Sequence, residues 1–115
     1  MKKMLITVFL SLMAVAASAA AVALSAGPNS VTTTTCSLLI DDVKVILSVG
    51  NVGAYECNAS TANIGVAVGS TSSGSNKIFS LSSAAGSQIE VNTSASAAVL
   101  TTDVQTHAVT KAASS

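Results

Sequence analysis

Residues 43–49 read VKVILSV, and residues 64–69 read IGVAVG. In both segments an apolar residue recurs at every second position, the period at which side chains alternate between the two faces of a β-strand. Valine and isoleucine, which are frequent in both segments, are branched at Cβ, and this branching favours a pleated strand over a helix. We therefore predict two strands, and we expect the odd-numbered residues of the first to face the core.

The second of these segments has unusually small residues on its other face. Gly65, Ala67 and Gly69 alternate with larger aliphatic residues. A strand face built from glycine and alanine leaves room for another part of the backbone to come close. We therefore expect another element to pack tightly against this face.

Shorter strand candidates surround these two segments, with turn residues every ten or so positions. They are residues 31–36, 54–57, 78–81 and 89–91, and the polar residues 70–76 are predicted to form a loop. Short strands at this spacing are typical of a β-sandwich or a barrel. The sequence thus predicts an all-β fold, a small β-sandwich or immunoglobulin-like sheet domain, as a single domain over residues 32–115.

The C-terminal segment has two interpretations. Asp103 is placed to cap a helix running from Val104 to Lys111, because apolar residues recur there at helical spacing. Residues 99–102 and 108–110 fit two final strands equally well. Of the two interpretations, we favour the strands.

The N-terminus has the pattern of an export signal. Lys2 and Lys3 precede a mostly apolar run over residues 4–17, and Ala17-Ser18-Ala19 is a cleavage site of the small-x-small type. We therefore predict a signal peptide, with a signal helix, over residues 1–19, and a secreted, cell-surface or periplasmic protein.

The residues after the predicted cleavage site allow one competing interpretation. The apolar run continues to Leu24, which makes it long enough for an uncleaved membrane anchor. Its second half is mostly alanine, which contributes little to membrane insertion, so we favour cleavage. The breaker residues 27–30, with the sequence GPNS, indicate a flexible leader over residues 20–31.

The chain has two cysteines, Cys36 and Cys57, which enclose residues 37–56. In an oxidising compartment two thiols normally pair, so we predict a disulfide between them. A loop of this size stabilises a fold by about 3 kcal/mol in the chain-entropy model. Two thiols and a single histidine are too few ligands for a structural metal site.

The charge pattern argues against a nucleic-acid partner. Only 9% of the residues are charged and none is arginine. Two of the five lysines lie in the predicted signal peptide, so acidic residues outnumber basic ones in the rest of the chain. A groove that binds phosphate groups needs clustered basic side chains.

Candidate catalytic residues are few. His107 lies four residues after Asp103, so the two meet only if that segment is helical, and no serine lies in a G-x-S-x-G motif. Asp41 and Asp42 are adjacent, which in a strand places them on opposite faces. We interpret this pair as a turn, with a weak Ca²⁺ contact as the alternative. We expect no catalysis, no metal ion and no cofactor.

The candidate core contains few large apolar side chains for a domain that folds alone. Beyond the leader it holds about twenty Val, Ile and Leu residues together with Phe79 and Tyr55. A disulfide is one source of additional stability, and burial against other copies is another. Strand edges with few charges are templates for such pairing.

The composition is rich in Ala, Ser, Thr, Val, Gly and Asn, free of arginine, and includes one short cysteine loop. In these respects the chain resembles the fimbrial, or pilin, subunits of bacterial surface fibres. The resemblance implies a pilin-like sheet domain, strand donation between copies, and an export or assembly chaperone as a further partner.

Two functions fit these observations. The first is a secreted structural or surface-fibre subunit that self-associates through β-strand edges. The alternative is a small secreted or periplasmic binding module, an adhesin or an inhibitor without catalysis. Such a module needs a rigid loop, and either residues 70–76 or the loop between Cys36 and Cys57 would serve.

Overall fold

The computed structural model describes residues 21–113, so the predicted signal peptide over residues 1–19 lies outside the described residues. The elements in chain order are β1 (Val22–Leu24), β2 (Gly27–Val31), β3 (Val43–Leu47), β4 (Asn51–Asn58), β5 (Asn63–Ser70), β6 (Lys77–Ser82), β7 (Glu90–Thr93) and α1 (Thr101–Ala112). Five strands form an antiparallel sheet in the order β1-β4-β5-β6-β7, and β2 and β3 form a separate antiparallel hairpin.

Helix α1 packs against one face of the five-stranded sheet. Ala54, Ala67 and Ile78 of the sheet form a buried cluster with Val104 and Ala108 of the helix. The small residues of β5 permit this packing, because a Cβ atom added at Gly65 would overlap the helix backbone. The prediction that another element packs tightly on this face is therefore confirmed.

The β2–β3 hairpin packs against the opposite face, above β4. Leu47 of β3 lies over Gly53, where an added Cβ would come within 3.2 Å of the leucine Cδ1. Tyr55 is buried in the same layer, and its hydroxyl donates to Thr35 Oγ1 at 3.2 Å. Strand β4 is thus covered on both faces, by α1 on one side and by the hairpin on the other.

The predicted disulfide is present and closes this second layer. Cys36 and Cys57 are bonded, with 5.5 Å between their Cα atoms, and Cys36 is fully buried. The bond joins the segment after β2 to strand β4 of the five-stranded sheet. The loop over residues 32–42 is therefore fixed over the sheet, and Asp42 holds it further by accepting the Thr33 N–H at 2.9 Å.

The mostly β character is confirmed in the described residues, with two sheets and one disulfide, and one short helix accompanies them. The C-terminal segment is the helix α1, so the two final strands that we favoured over residues 99–102 and 108–110 do not form. Asp103 stabilises the helix start by accepting the Leu100 N–H at 2.9 Å. A helix also suits the glycine-lined face of β5, which has no room for large side chains from a second sheet.

Two further predictions need correction. The flexible leader predicted over residues 20–31 contains the strands β1 (Val22–Leu24) and β2 (Gly27–Val31), because Leu24 is buried and β2 pairs with β3 along its length. As an edge strand, β2 tolerates Pro28. Residues 32–35 form turns instead of a strand, since the Thr32 and Thr35 hydroxyls bond each other's backbone N–H at 3.2 Å.

Strand β3 follows the predicted alternation as far as Leu47. Val45 and Leu47 pack towards the core, as expected of odd-numbered residues. Val49 does not, because it lies in the turn after β3 and is 94% exposed. The alternating pattern in the sequence thus runs two residues beyond the strand.

Candidate functional site: an uncovered apolar sheet face

The sheet has an apolar face that neither the helix nor the hairpin covers. It consists of side chains on β5, β6 and β7 that point away from α1, and we call it the uncovered face. Its residues are Val66, Val68, Phe79, Leu81 and Val91. Their exposed fractions reach 45% for Phe79 and 54% for Val91, which is high for aliphatic and aromatic side chains in a sheet.

The strand register makes these side chains contiguous. Val66 lies directly opposite Leu81, and Phe79 lies between Val68 on one neighbouring strand and Val91 on the other. Side chains at directly opposed positions are close enough to touch. The exposed residues therefore form one patch rather than scattered positions, and contiguous apolar patches mark interaction surfaces.

The face is uncovered because the second layer is too narrow. The hairpin has two strands, whereas the sheet beneath it has five. The hairpin lies over β1 and β4, where Leu24 and Tyr55 are buried beneath it. Ile64 of β5 packs against the hairpin layer, and beyond it, within residues 21–113, this layer ends and leaves β6, β7 and the exposed Val66 of β5 without a cover.

Two depressions mark the border between the hairpin and the uncovered face. A groove of about 590 Å³ has Leu47 on one side and Val68 and Phe79 on the other. A smaller apolar slot of about 160 Å³ lies between Val43 of β3 and Val66 of β5. Strand β3 therefore stands at the edge of the uncovered face along its whole length.

The strands that border this surface have free edges in the described part of the chain. Strand β3 pairs only with β2, and β7 pairs only with β6. Each thus presents unpaired backbone N–H and C=O groups on its outer side, which are a template for pairing with another chain. An apolar face with a free strand edge on each side is suited to protein association.

Charged groups lie around the face rather than on it. Lys77 is at one end, where its Nζ donates to Thr93 Oγ1 at 2.9 Å. Glu90 of β7 is on the opposite side of the sheet, where it accepts hydrogen bonds from Asn92 at 2.8 Å and Lys111 at 3.0 Å. The hydrogen bond from Asn92, and then that from Lys111, lower the pKa of Glu90 below its ordinary value.

Of the residues considered for catalysis, Asp103 makes hydrogen bonds that stabilise the fold. Asp103 and His107 share the helix α1, as the helical interpretation requires. However, the Asp103 carboxylate accepts the Leu100 N–H at 2.9 Å and the Ser94 hydroxyl at 2.8 Å. Ser94 thus donates directly to the carboxylate rather than to an imidazole. The structure does not assemble a serine, histidine and aspartate relay from these residues.

The described residues contain no group of three or more His, Cys, Asp or Glu side chains arranged to hold a metal ion. Within residues 21–113, no helix has both the length and the apolar character needed to cross a membrane.

The uncovered face was not predicted from the sequence, although the sequence contains one signal of it. Ile78 and Phe79 are adjacent large apolar residues in one predicted strand. Neighbouring residues of a strand point to opposite faces, so such a strand is either buried on both faces or exposes one of them. Ile78 is buried beneath the helix, and Phe79 is exposed on the other face.

Comparisons of the chain with protein-family models, with curated proteins and with solved structures find no match. The interpretation of the uncovered face therefore depends on its geometry and chemistry.

Proposed function

We propose that this protein is a secreted structural subunit, of the surface-fibre type, that self-associates through its β-strand edges. The observation that carries the proposal is the uncovered face, bordered by the free edges of β3 and β7. Packing and strand pairing at this surface bury apolar side chains and satisfy backbone groups in the same contact.

The disulfide supports export as part of this proposal. A bond between Cys36 and Cys57 persists in an oxidising compartment, such as the periplasm or the cell exterior. Export is also the role that we predict for residues 1–19.

The proposal is tested with the full chain, expressed from Met1 in a bacterial host and recovered from the exported fraction. Val91→Lys places a charge in the uncovered face, and Ile40→Lys places the same charge on a loop residue that is 95% exposed. We expect Val91→Lys to weaken self-association at least about tenfold, because the lysine loses hydration on contact. Ile40→Lys should leave self-association unchanged.

Both variants should fold, since lysine is tolerated on edge strands and exposed loops. The thermal unfolding midpoint of each variant checks this point. Equal self-association of wild type and Val91→Lys, with both proteins folded, contradicts a role for the uncovered face. A monomeric wild-type protein contradicts the proposed function itself.

A second candidate function is favoured by the groove beside the hairpin. The groove of about 590 Å³ is lined at one end by Gly74, Ser75 and Asn76, which belong to the predicted loop over residues 70–76. A binding module, such as an adhesin or an inhibitor, would take a ligand there as a monomer. A monomeric protein that binds a defined partner, and loses it on Asn76→Ala, supports this function instead.

A further inference from the structure

From the uncovered face and its two edges we propose that the first step of association is a closed two-fold dimer. In this dimer the uncovered faces of two copies pack against each other, and β7 of each copy pairs with β3 of the other. This inference rests on the proposed function and specifies which surfaces of the chain carry it.

The strands of a second copy have the width needed to complete the layer that the hairpin begins over the uncovered face. Above β6, β7 and the exposed part of β5, the layer that the hairpin begins is open. A second copy turned over on this face supplies its own three strands, β7, β6 and β5, in that order from the edge of β3. Its β7 then lies beside β3, and the same two-fold rotation places β7 of the first copy beside β3 of the second.

The size of the face indicates that the strand edges must take part. Three strands of about five residues cover roughly 14 Å by 17 Å, given a strand spacing of about 4.8 Å and a rise of about 3.3 Å per residue. A standard interface buries about 800 Å² on each partner. Face packing alone is therefore too small, and pairing of β3 with β7 at both sides extends the contact over both hairpins.

The side-chain alternation of the two strands is compatible with this pairing. In β3, Val43 and Val45 point towards the sheet and Lys44 points outwards. In β7, Val91 belongs to the uncovered face and Glu90 points to the side of α1, which is the outer side of the dimer. Pairing these strands therefore continues an apolar inner row and places the acidic Glu90 in the same outer row as the basic Lys44.

A second copy is the occupant that these observations favour. The face is apolar, so its partner must also be apolar, and the chain itself carries such a face. Lys44 of β3 and Glu90 of β7 have opposite charges, which attract when one copy meets another. Because an isologous contact uses each surface once, it closes at two copies, and larger assemblies are then built from dimers.

The first test is cross-linking at the two-fold axis. Strand β6 is the middle one of the three, so Phe79 of one copy lies near Phe79 of the other. In the full chain, recovered from the exported fraction, Phe79→Cys should form a covalent dimer on mild oxidation. The control is Val49→Cys, at a turn residue that is 94% exposed and remote from the axis, which should not cross-link. Peptide mapping confirms that Cys36 and Cys57 stay bonded.

The second test is a charge exchange between the paired edges. Lys44→Glu and Glu90→Lys should each weaken dimerisation about tenfold, because two like-charged contacts replace two opposite ones. The double variant should recover most of this loss. The comparison of Glu90→Lys with the double variant is matched, since both lack the contact between Glu90 and Lys111 within one chain.

The outcomes separate this inference from the proposed function. Dimers that cross-link through Phe79→Cys and recover in the double variant support both. Association without a dimeric stage, without the cross-link and without recovery overturns the closed dimer and leaves a self-associating subunit. A wild-type protein that remains monomeric overturns both.

Discussion

Gly65 allows the helix to lie directly on the sheet, because its missing side chain leaves space for the backbone of α1. Three glycines of the sheet differ in what an added Cβ would meet. At Gly65 it meets the helix backbone and at Gly69 the Val99 side chain at 2.7 Å, whereas at Gly53 it comes only within 3.1 Å of the Val68 side chain and 3.2 Å of the Ala67 carbonyl oxygen. Side chains move aside more readily than backbone.

We therefore expect Gly65→Ala to be the most destabilising of the three alanine substitutions, by about 3 kcal/mol or more. Gly69→Ala should lower the free energy of unfolding by less, and Gly53→Ala should lower it least. Urea unfolding followed by circular dichroism measures the three values. A Gly65→Ala protein as stable as Gly53→Ala would show that the helix does not pack as described.

Ser80 is a buried residue with an unsatisfied hydroxyl. It is 2% exposed, and its Oγ has no hydrogen-bond partner in the described structure. Replacing it with alanine removes a desolvated polar group, so Ser80→Ala should be as stable as wild type or up to about 1 kcal/mol more stable. The matched control is Ser82→Ala on the same face of β6.

Ser82 is also buried, but its Oγ accepts the Ala84 N–H at 3.1 Å. Its replacement should therefore destabilise the protein by about 1 kcal/mol. Urea unfolding followed by circular dichroism measures the stability of both serine variants. Equal losses of stability at Ser80 and Ser82 would mean that the Ser80 hydroxyl is satisfied in solution.

Glu90 makes stability depend on pH. Hydrogen bonds from Asn92 and Lys111 lower its pKa from the ordinary value of 4.5, so the folded state favours the ionised form. This contribution is present above the unfolded pKa and is lost as pH falls through the lower folded pKa. The difference in unfolding midpoint between wild type and Glu90→Gln should therefore be constant near neutral pH and shrink below pH 4.5.

Asn92→Ala removes the larger cause of this shift and should reduce the pH dependence while leaving Lys111 in place. The thermal unfolding midpoints of wild type, Glu90→Gln and Asn92→Ala are measured between neutral pH and pH 3. If the difference in unfolding midpoint between wild type and Glu90→Gln increased as the pH fell, the result would contradict stabilisation by the ionised Glu90.

At the scale of elements, helix α1 depends on the Asp103 carboxylate at its first turn. This group accepts the Leu100 N–H at 2.9 Å and the Ser94 hydroxyl at 2.8 Å, which ties the helix start to the residue that follows β7. Asp103→Ala should cost about 1 kcal/mol, and Asp103→Asn, which keeps an acceptor oxygen, should cost less. Equal losses in the two variants would assign the effect to charge alone.

The strands with alternating apolar residues could be predicted from the sequence because the pattern and the burial have the same period. Residues 43–47 and 64–69 show this, as does the face of Gly65 and Ala67 that receives the helix. The disulfide followed from the cysteine count. These features depend on neighbours along the chain or on a simple pairing rule.

The errors have a common physical cause. Residues 20–31 resemble a leader, yet Val22–Leu24 and Gly27–Val31 form strands because they pair with β4 and β3, which lie further along the chain. Residues 101–112 are rich in threonine and valine, yet they form a helix because the β5 surface has room for one. The uncovered face was missed because it depends on the width of the second layer.

For the whole molecule, two layers of unequal width explain the surface. The disulfide between Cys36 and Cys57 fixes the narrow layer over β4, and the wide layer extends beyond it by three strands. Val66, Phe79, Leu81 and Val91 are consequently left in water. Association with a second copy is the means by which we expect these side chains to be buried.

The most direct measurement of this claim is sedimentation velocity of the wild-type protein, with the disulfide intact, over a range of concentrations. We predict a dimer that gives way to monomer on dilution, with larger species built from the dimer at high concentration. A single monomeric boundary at every concentration would contradict the claim.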